Sequence, residues 1–270
     1  MRLILMTDLH LRDPEGSAES SAHAIFVGAC LDRAAAICPD ADCCILTGDL
    51  ADAGETGAYR WLKRRLDALA FKSIPLLGNH DDRDAFRSVF GGDGFCQSVR
   101  QFGAMRLVSL DTLNPGSDAG NLCATRLEWL DQQLRDAAHT DVCLFMHHPP
   151  CDIGDPILDP IKLQNTDDFA ALLQRHGNVK QIFFGHVHRT LFRVWNGIPC
   201  ISLDSIGAAS TGRSQSHTPA LGLVYQTDEG LALTLRIQVL YAHRSKSVRT
   251  GCRERNPTTW PENALMNLTT

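Results

Sequence analysis

The chain has 270 residues, a formal net charge of −5, 44% hydrophobic residues and 21% charged residues. This length suits one large α/β domain or two small ones, and the composition is that of an ordinary globular protein. The negative balance argues against a nucleic-acid polymer as the main partner, and the lack of any run of roughly 18 apolar residues argues against a membrane helix.

Five short hydrophobic runs end abruptly in Asp, Asn or His, at residues 3–6, 43–46, 74–77, 142–146 and 182–184. The polar residues that follow these runs are Asp8, His10, Asp49, Asn79, His80, His147, His148, His186 and His188. Buried strands carry their polar groups at their ends, and open α/β sheets bind ligands outside the carboxyl ends of their strands. The pattern therefore predicts a metal site built from five strand ends.

Segments with helical periodicity alternate with these runs. Apolar residues recur on one face of residues 59–69, 127–137 and 169–176, as expected for amphipathic helices. Thr166 or Asp167 is the expected cap of the third helix. Alternating strands and helices predict a layered α/β sheet of mostly parallel order through about residue 185.

Two hairpins are predicted after residue 188. Residues 191–195 and 198–203 flank Asn196-Gly197, a strong hairpin-turn signal, and residues 221–227 and 231–240 flank a second turn. We expect both hairpins to add antiparallel strands to a second sheet. The polar residues 241–270 are expected to form an extension docked on the domain or on a neighbouring subunit, which makes a homodimer or larger assembly plausible.

The N-terminal sequence and the cysteines indicate the cellular compartment of the protein. Cleavage of a signal peptide in the usual window of about 15–30 residues would remove Asp8 and His10, so a cytoplasmic protein is expected. None of the ten cysteines forms a C-x-x-C pair, and most are expected to be buried thiols that act as small hydrophobes. Cys151 is the candidate for oxidation, because it lies just past the His147-His148 pair.

The polar residues have the spacing and chemistry of metal ligands. Asp8-x-His10 and His186-x-His188 each place two side chains on one side of an extended chain. Imidazole, carboxylate and amide oxygen ligands suit Zn, Mn, Fe, Ni or Co. The ligands are too many for one tetrahedral ion, whereas two ions about 3.5–4 Å apart with a bridging carboxylate would use them all. Each motif alone has an ordinary explanation as a turn, but the series in this order does not.

The series Asp8-x-His10, Gly48-Asp49-x-x-Asp52, Gly78-Asn79-His80-Asp81, His147 and Gly185-His186-x-His188 resembles the calcineurin-like metallophosphoesterases. The resemblance implies an α/β fold, a four-layer α/β/β/α sandwich with a two-metal site at the strand C-terminal ends. One metal would be held by Asp8, His10, Asp49 and His188, and the other by Asp49, Asn79, His147 and His186. Asp49 would bridge two divalent or mixed-valence ions of manganese, iron, zinc or cobalt. His148 and Asp52 are expected outside this ligand set.

The same resemblance implies a reaction. The segments at 78–82 and 146–150 are similar to those of class III cyclic nucleotide phosphodiesterases and bacterial glycerophosphodiesterases. Residues 1–240 would then form a catalytic domain that hydrolyses a small phosphodiester, a 3′,5′-cyclic nucleotide or a glycerophosphodiester, through a hydroxide bridging the metals. His80 would assist the departing oxygen, and Asn79, His80 and His217 are expected to contact substrate. A phosphomonoesterase with the same centre is the main alternative, and a non-catalytic metal-binding scaffold is a more distant one.

Overall fold

The computed structural model describes residues 1–207, 220–227, 230–237 and 265–267. The helices are α1 (Ala18–Ile37), α2 (Thr56–Asp67), α3 (Arg83–Phe90), α4 (Ala124–Asp136) and α5 (Thr166–His176). The strands are β1 (Arg2–Met6), β2 (Cys43–Leu46), β3 (Lys72–Pro75), β4 (Ser98–Phe102), β5 (Met105–Ser109), β6 (Asp141–Phe145), β7 (Val179–Phe184), β8 (Leu191–Trp195), β9 (Ile198–Ser202), β10 (Ala220–Thr227), β11 (Gly230–Ile237) and β12 (Leu265–Asn267).

These strands form two six-stranded mixed sheets. The first sheet has the order β12-β11-β10-β1-β2-β3, with β1, β2 and β3 parallel and β10 antiparallel to β1. The second has the order β4-β5-β6-β7-β9-β8, with β5, β6, β7 and β9 parallel and the two edge strands antiparallel to their neighbours. The parallel strands of each sheet therefore end at a common edge.

Alternation of side chains along the strands builds the layers. On β1, Leu3 belongs to the core between the two sheets, whereas Ile4 faces the core shared with α1 and α2. On β6, Phe145 faces the first sheet, whereas Leu144 packs with residues of α4 and α5. Because successive residues of a strand point to opposite faces, each sheet is covered on both sides. The result is the predicted four-layer α/β/β/α sandwich.

Most predicted elements occur where expected. The five hydrophobic runs belong to β1, β2, β3, β6 and β7, and the three predicted helices are α2, α4 and α5. Both hairpins form, as β8–β9 and β10–β11. The prediction that the second hairpin belongs to the second sheet was wrong, because β10 pairs with β1 of the first sheet.

The predicted cap of α5 was also wrong. Asn165 is the cap residue and makes no side-chain capping bond. Its side chain instead bonds both backbone groups of Leu122: Oδ1 accepts from the N–H at 3.0 Å, and Nδ2 donates to the carbonyl at 2.6 Å. Asn165 thus ties the start of α5 to the loop before α4.

The C-terminal region is described only in part. Leu265–Asn267 form β12, which pairs with β11, while the remainder of the predicted extension at 241–270 lies outside the described residues, as does His217. A domain division at residue 240 stays a prediction. None of the helices in the described ranges has both the length and the apolar character needed to cross a bilayer.

Candidate metal centre

The predicted ligands meet where the parallel strands of both sheets end. The first sheet contributes Asp8 and His10 after β1, Asp49 after β2, and Asn79 and His80 after β3. The second sheet contributes His147 after β6, and His186 and His188 after β7. Residues from distant parts of the chain thus form one cluster that spans the two sheets.

One group in this cluster is Asp8, His10, Asp49 and His188, whose ligand atoms all lie within 4.8 Å of one another. His10 Nε2 lies 3.0 Å from His188 Nε2 and 3.6 Å from Asp49 Oδ2. His188 Nε2 in turn lies 3.4 Å from Asp8 Oδ1. This grouping is the one that the family resemblance implied for a first metal ion.

A second group surrounds the amide of Asn79. Its Oδ1 lies 3.1 Å from His147 Nε2 and 3.0 Å from His186 Nδ1. His147 Nε2 is also 3.3 Å from Asp49 Oδ1. The carboxylate of Asp49 therefore reaches both groups, with Oδ2 towards His10 and Oδ1 towards His147.

The donor set fits transition-metal ions. Asp8 and Asp49 are buried carboxylates, and buried anions require a counter-charge. The Nε2 atom of His186 is buried and has no hydrogen-bond partner among the described residues. Imidazole nitrogens, carboxylates and an amide oxygen are the ligands that such ions take in proteins.

Electrostatics within the cluster favour a cation. Burial raises the pKa of Asp49, but the charge and hydrogen bond of His147 and the charge of His10 outweigh burial and hold it well below its usual range. Burial lowers the pKa of His147, yet the charge and hydrogen bond of Asp49 raise it to about 9. The carboxylates thus attract positive charge strongly enough to keep a buried imidazole protonated, and a divalent cation would take the place of that proton.

Partners outside the ligand set orient the imidazole rings. His147 Nδ1 donates to the backbone carbonyl of Thr47 at 2.8 Å, which directs Nε2 into the cluster. His10 Nδ1 lies 3.2 Å from the carboxylate of Asp52, and Arg12 donates to the other oxygen of that carboxylate at 2.8 Å. Such hydrogen bonds fix the tautomer of a ligating histidine. Asp52, expected outside the ligand set, is therefore placed as an orienting partner of His10.

His80 differs from the candidate ligands in its exposure and its contacts. Its side chain is 42% exposed, and its Nδ1 donates to the backbone carbonyl of Asp52 at 2.9 Å. Its backbone N–H donates to Asp49 Oδ1 at 3.0 Å. These bonds hold the ring beside the cluster and leave Nε2 as the nitrogen available to a substrate.

His148 lies in the cluster, yet both of its ring nitrogens are occupied. Nδ1 accepts from the Thr112 hydroxyl at 2.8 Å, and Nε2 donates to the backbone carbonyl of Asp118 at 3.2 Å. Burial, together with the charges of His147 and His186, lowers its pKa well below the usual range. A neutral, fully bonded ring is a poor ligand even though it lies within reach of His147 and His186.

Thr112 was missed by the sequence reasoning. It follows β5, where Leu107, Val108 and Leu110, interrupted by Ser109, lead into Asp111-Thr112. The segment resembles the five hydrophobic runs in leading to a polar residue, but Ser109 interrupts it and no histidine follows, so its signal is weaker. Counting hydroxyl residues at strand ends would have found it.

The backbone of the cluster is held in an uncommon conformation. Asp8, His10, Asp49, His186 and His188 have φ between 47° and 70°, and Asn196 in the hairpin turn is the other non-glycine residue with positive φ in the described ranges. Each such residue costs about 1–3 kcal/mol, and such strain clusters at functional sites. Gly48, with φ of 98°, allows a close approach, because a Cβ there would lie 2.4 Å from His147 Nδ1.

The chain is similar to known proteins in both sequence and fold. The model of the calcineurin-like phosphoesterase family matches residues 1–190. A probable cyclic nucleotide phosphodiesterase of Rhodopseudomonas palustris is 37% identical over 207 residues, which are 74% of this chain and 76% of the relative. A probable glycerophosphodiester phosphodiesterase of Arcobacter nitrofigilis is 32% identical over 193 residues, 68% of this chain and 67% of the relative. A dimetal phosphatase from Danio rerio shares the fold, with a TM-score of 0.66 at 18% identity over 88% of this chain and 95% of that structure.

Proposed function

The chain belongs to the calcineurin-like phosphoesterase family, and from that premise we propose that it hydrolyses small phosphodiesters with two metal ions. The proposed substrates are 3′,5′-cyclic nucleotides or glycerophosphodiesters, the classes named in its relatives from R. palustris and A. nitrofigilis. The observation that carries the proposal is the convergence of six ligand-type side chains around Asp49, with His80 beside them.

Each group of ligands is proposed to hold one ion. Asp8, His10, Asp49 and His188 bind the first, and Asp49, Asn79, His147 and His186 bind the second. Ions bound there act as Lewis acids, which lower the pKa of a water molecule and neutralise charge on phosphoryl oxygens. Manganese, iron, zinc and cobalt all accept this mixture of nitrogen and oxygen ligands.

His80 is the proposed catalytic residue. Because its Nδ1 donates to the Asp52 carbonyl, a protonated ring presents its second proton at Nε2, towards the leaving oxygen of a substrate. General acid catalysis of this kind contributes typically 10²–10⁴-fold in rate. Asn79 and His80 are the proposed substrate contacts within the described residues, and His217 stays a predicted one.

Arg12 and Asp52 are proposed to act on the reaction through other residues. The Asp52 carboxylate holds His10, its backbone carbonyl holds His80, and Arg12 fixes the carboxylate from the solvent side. One residue thus positions both a metal ligand and the acid. A non-catalytic scaffold would have no need to keep His80 in this arrangement.

Turnover of model substrates tests the proposal. Metal-stripped protein is titrated with manganese, zinc, iron and cobalt, and initial rates are measured on bis(p-nitrophenyl) phosphate and p-nitrophenyl phosphate. We expect metal-dependent turnover that favours the diester. His80→Ala should lower kcat by about 10²–10⁴-fold with metal content intact, whereas His139→Ala, a change at an exposed histidine of the same chain, should leave kcat unaltered.

The other outcomes separate the alternatives. A preference for the monoester would assign the chain to the phosphomonoesterases. Two bound ions without turnover of either substrate would support the scaffold alternative.

Location and assembly also stay predictions. A cytoplasmic location is supported by the nine described cysteines, all of which are free thiols, as expected in a reducing compartment. A homodimer or larger assembly is tested by measuring the mass of the full chain in solution.

A further inference from the structure

A short segment after β9 contacts two of the loops that carry the proposed ligands of the first ion. The segment consists of residues 204–207 and is called the clasp below. One of the two loops follows β1 and contains Asp8 and His10, and the other follows β7 and contains His188. Because these loops belong to different sheets, the clasp lies where it can set the separation between three of the four ligands.

The contact with the loop after β1 is made through backbone carbonyl groups. The buried hydroxyl of Ser205 donates to the carbonyl of Asp8 at 3.0 Å, and the backbone N–H of Gly207 donates to the same oxygen at 2.9 Å. A Cβ on Gly207 would collide with the carbonyl of Leu9. The clasp therefore lies against this loop as closely as glycine allows.

The loop after β1 has a backbone conformation that requires such support. Asp8 and His10 have φ of 52° and 47°, a region that residues other than glycine keep only where surrounding contacts hold them. His23 of α1 provides one more contact, since its Nε2 donates to the carbonyl of Leu9 at 2.9 Å. Both peptide groups between Asp8 and His10 are thus fixed by hydrogen bonds, one of them by the clasp.

The contact with the loop after β7 is made by Asp204. Its carboxylate accepts from the backbone N–H of Thr190 at 3.0 Å and from the Thr190 hydroxyl at 2.8 Å. In return, the backbone N–H of Asp204 donates to the Thr190 hydroxyl oxygen at 3.3 Å. Thr190 lies two residues after His188, which also has a positive φ, of 52°. These reciprocal bonds tie the loop of His188 to the residue next to Ser205.

We propose that the clasp positions the ligands of the first ion. Asp204 acts on His188 through Thr190, and Ser205 acts on Asp8 and His10 through the carbonyl of Asp8. Both are positioning residues, because neither belongs to the candidate ligands. Loss of a group that orients metal ligands from outside typically weakens metal binding by about 10–100-fold. The proposal rests on the two-ion centre of the proposed function.

Manganese titration of the full chain tests the proposal. Metal-stripped protein is titrated in a calorimeter, and the unaltered chain should bind two ions. Asp204→Ala and Ser205→Ala should each weaken the binding of one ion about tenfold and leave the other nearly unaltered. Asp93→Ala, a change at an exposed aspartate of the same chain, should alter neither affinity.

Thr190 offers a matched pair of variants. Thr190→Val removes the hydroxyl and should weaken the same ion, whereas Thr190→Ser keeps the hydroxyl and should retain the affinity of the unaltered chain. Because Thr190 is exposed and surface substitutions change stability little, the two variants should have nearly the same Tm without metal. A lower metal-free Tm in Thr190→Val with equal loss at both ions would indicate a purely structural role and contradict the proposal.

Ligand variants identify which ion the clasp affects. In His188→Ala the remaining ion binds the second group and should not respond to Asp204→Ala. In Asn79→Ala the remaining ion binds the first group and should be weakened about tenfold by Asp204→Ala. The reverse pattern, or unaltered affinities in Asp204→Ala and Ser205→Ala, would overturn the clasp and leave the two-ion centre intact. Fewer than two bound ions in the unaltered chain would overturn the centre, and the clasp with it.

Discussion

Asp81 is a buried carboxylate that joins the loops of two proposed ligands. Its four hydrogen bonds come from the backbone N–H groups of Leu50 at 3.1 Å, Ala51 at 2.9 Å and Gly78 at 2.9 Å and from the Tyr59 hydroxyl at 2.8 Å. Two of these N–H groups directly follow Asp49 and one directly precedes Asn79. Asp81 therefore sets the separation between the carboxylate of Asp49 and the amide of Asn79.

Replacement of Asp81 by Asn tests this positioning. Asn presents one oxygen and one NH₂ group, so at least one donor loses its acceptor at a cost of about 1–3 kcal/mol. We expect Asp81→Asn to lower both the free energy of unfolding and metal retention, measured by denaturant titration and by metal analysis after gel filtration. Tyr59→Phe removes the hydroxyl but spares the three backbone bonds to Asp81, and should retain more metal. Wild-type metal retention in Asp81→Asn would contradict this role.

At the scale of single residues, the sequence predicts the members of the cluster better than their partners. Asp8, Asp49 and His147 are ligand-type residues at the ends of apolar runs, which is a local signal. The contacts of His10 with Asp52 and of His148 with Thr112 join residues 42 and 36 positions apart. No local pattern encodes such pairs, because the fold creates them.

Among the connecting elements, the loop between β5 and α4 packs directly behind His148. A Cβ on Gly120 would lie 2.4 Å from Cγ of the His148 ring, far inside van der Waals contact. The ring of His148 in turn lies 4.9 Å from that of His147, centre to centre. The loop therefore requires glycine so that the two histidines can keep their positions.

Gly120→Ala should therefore disturb the second ligand group. Overpacking of this kind lowers the free energy of unfolding by about 1–3 kcal/mol. Displacement of the His148 ring should also reduce diester turnover. Gly28→Ala on α1 is the control, because its Cβ would lie no closer than 3.5 Å to any neighbour and alanine favours a helix over glycine by about 1 kcal/mol. In denaturant unfolding, the free energy of unfolding should fall for Gly120→Ala and rise for Gly28→Ala. An unchanged free energy of unfolding and unchanged turnover in Gly120→Ala would refute the packing argument.

The elements that escaped prediction have weak local patterns. The buried face of α1 consists largely of small residues such as Ala24, Gly28 and Ala34, while Ile25 is exposed. Strand β4 has no fully buried residue, and α3 has one, Phe86. The second hairpin was located correctly but placed on the wrong sheet, because alternation within a hairpin does not specify which strand lies beside it.

In the molecule as a whole, the candidate metal centre lies between two sheets that otherwise contact each other through apolar side chains. The core between the sheets contains Leu5 and Ile45 from the first and Phe145 and Phe183 from the second. The proposed ligands divide in the same way, four from loops of the first sheet and three from loops of the second. Bound ions would therefore link the two halves of the sandwich and stabilise their association.

Metal removal should accordingly destabilise the whole fold. An ion that binds only the native state stabilises it by about 2.7 kcal/mol at a concentration of 100 times its Kd, so chelation should lower Tm and added manganese or zinc should restore it. Asp49→Ala removes the residue that reaches both groups and should abolish the increase in Tm on adding metal. Asp141→Ala, at the exposed start of β6, should keep it. A full metal-dependent rise in Asp49→Ala would show that Asp49 does not bridge the two ions.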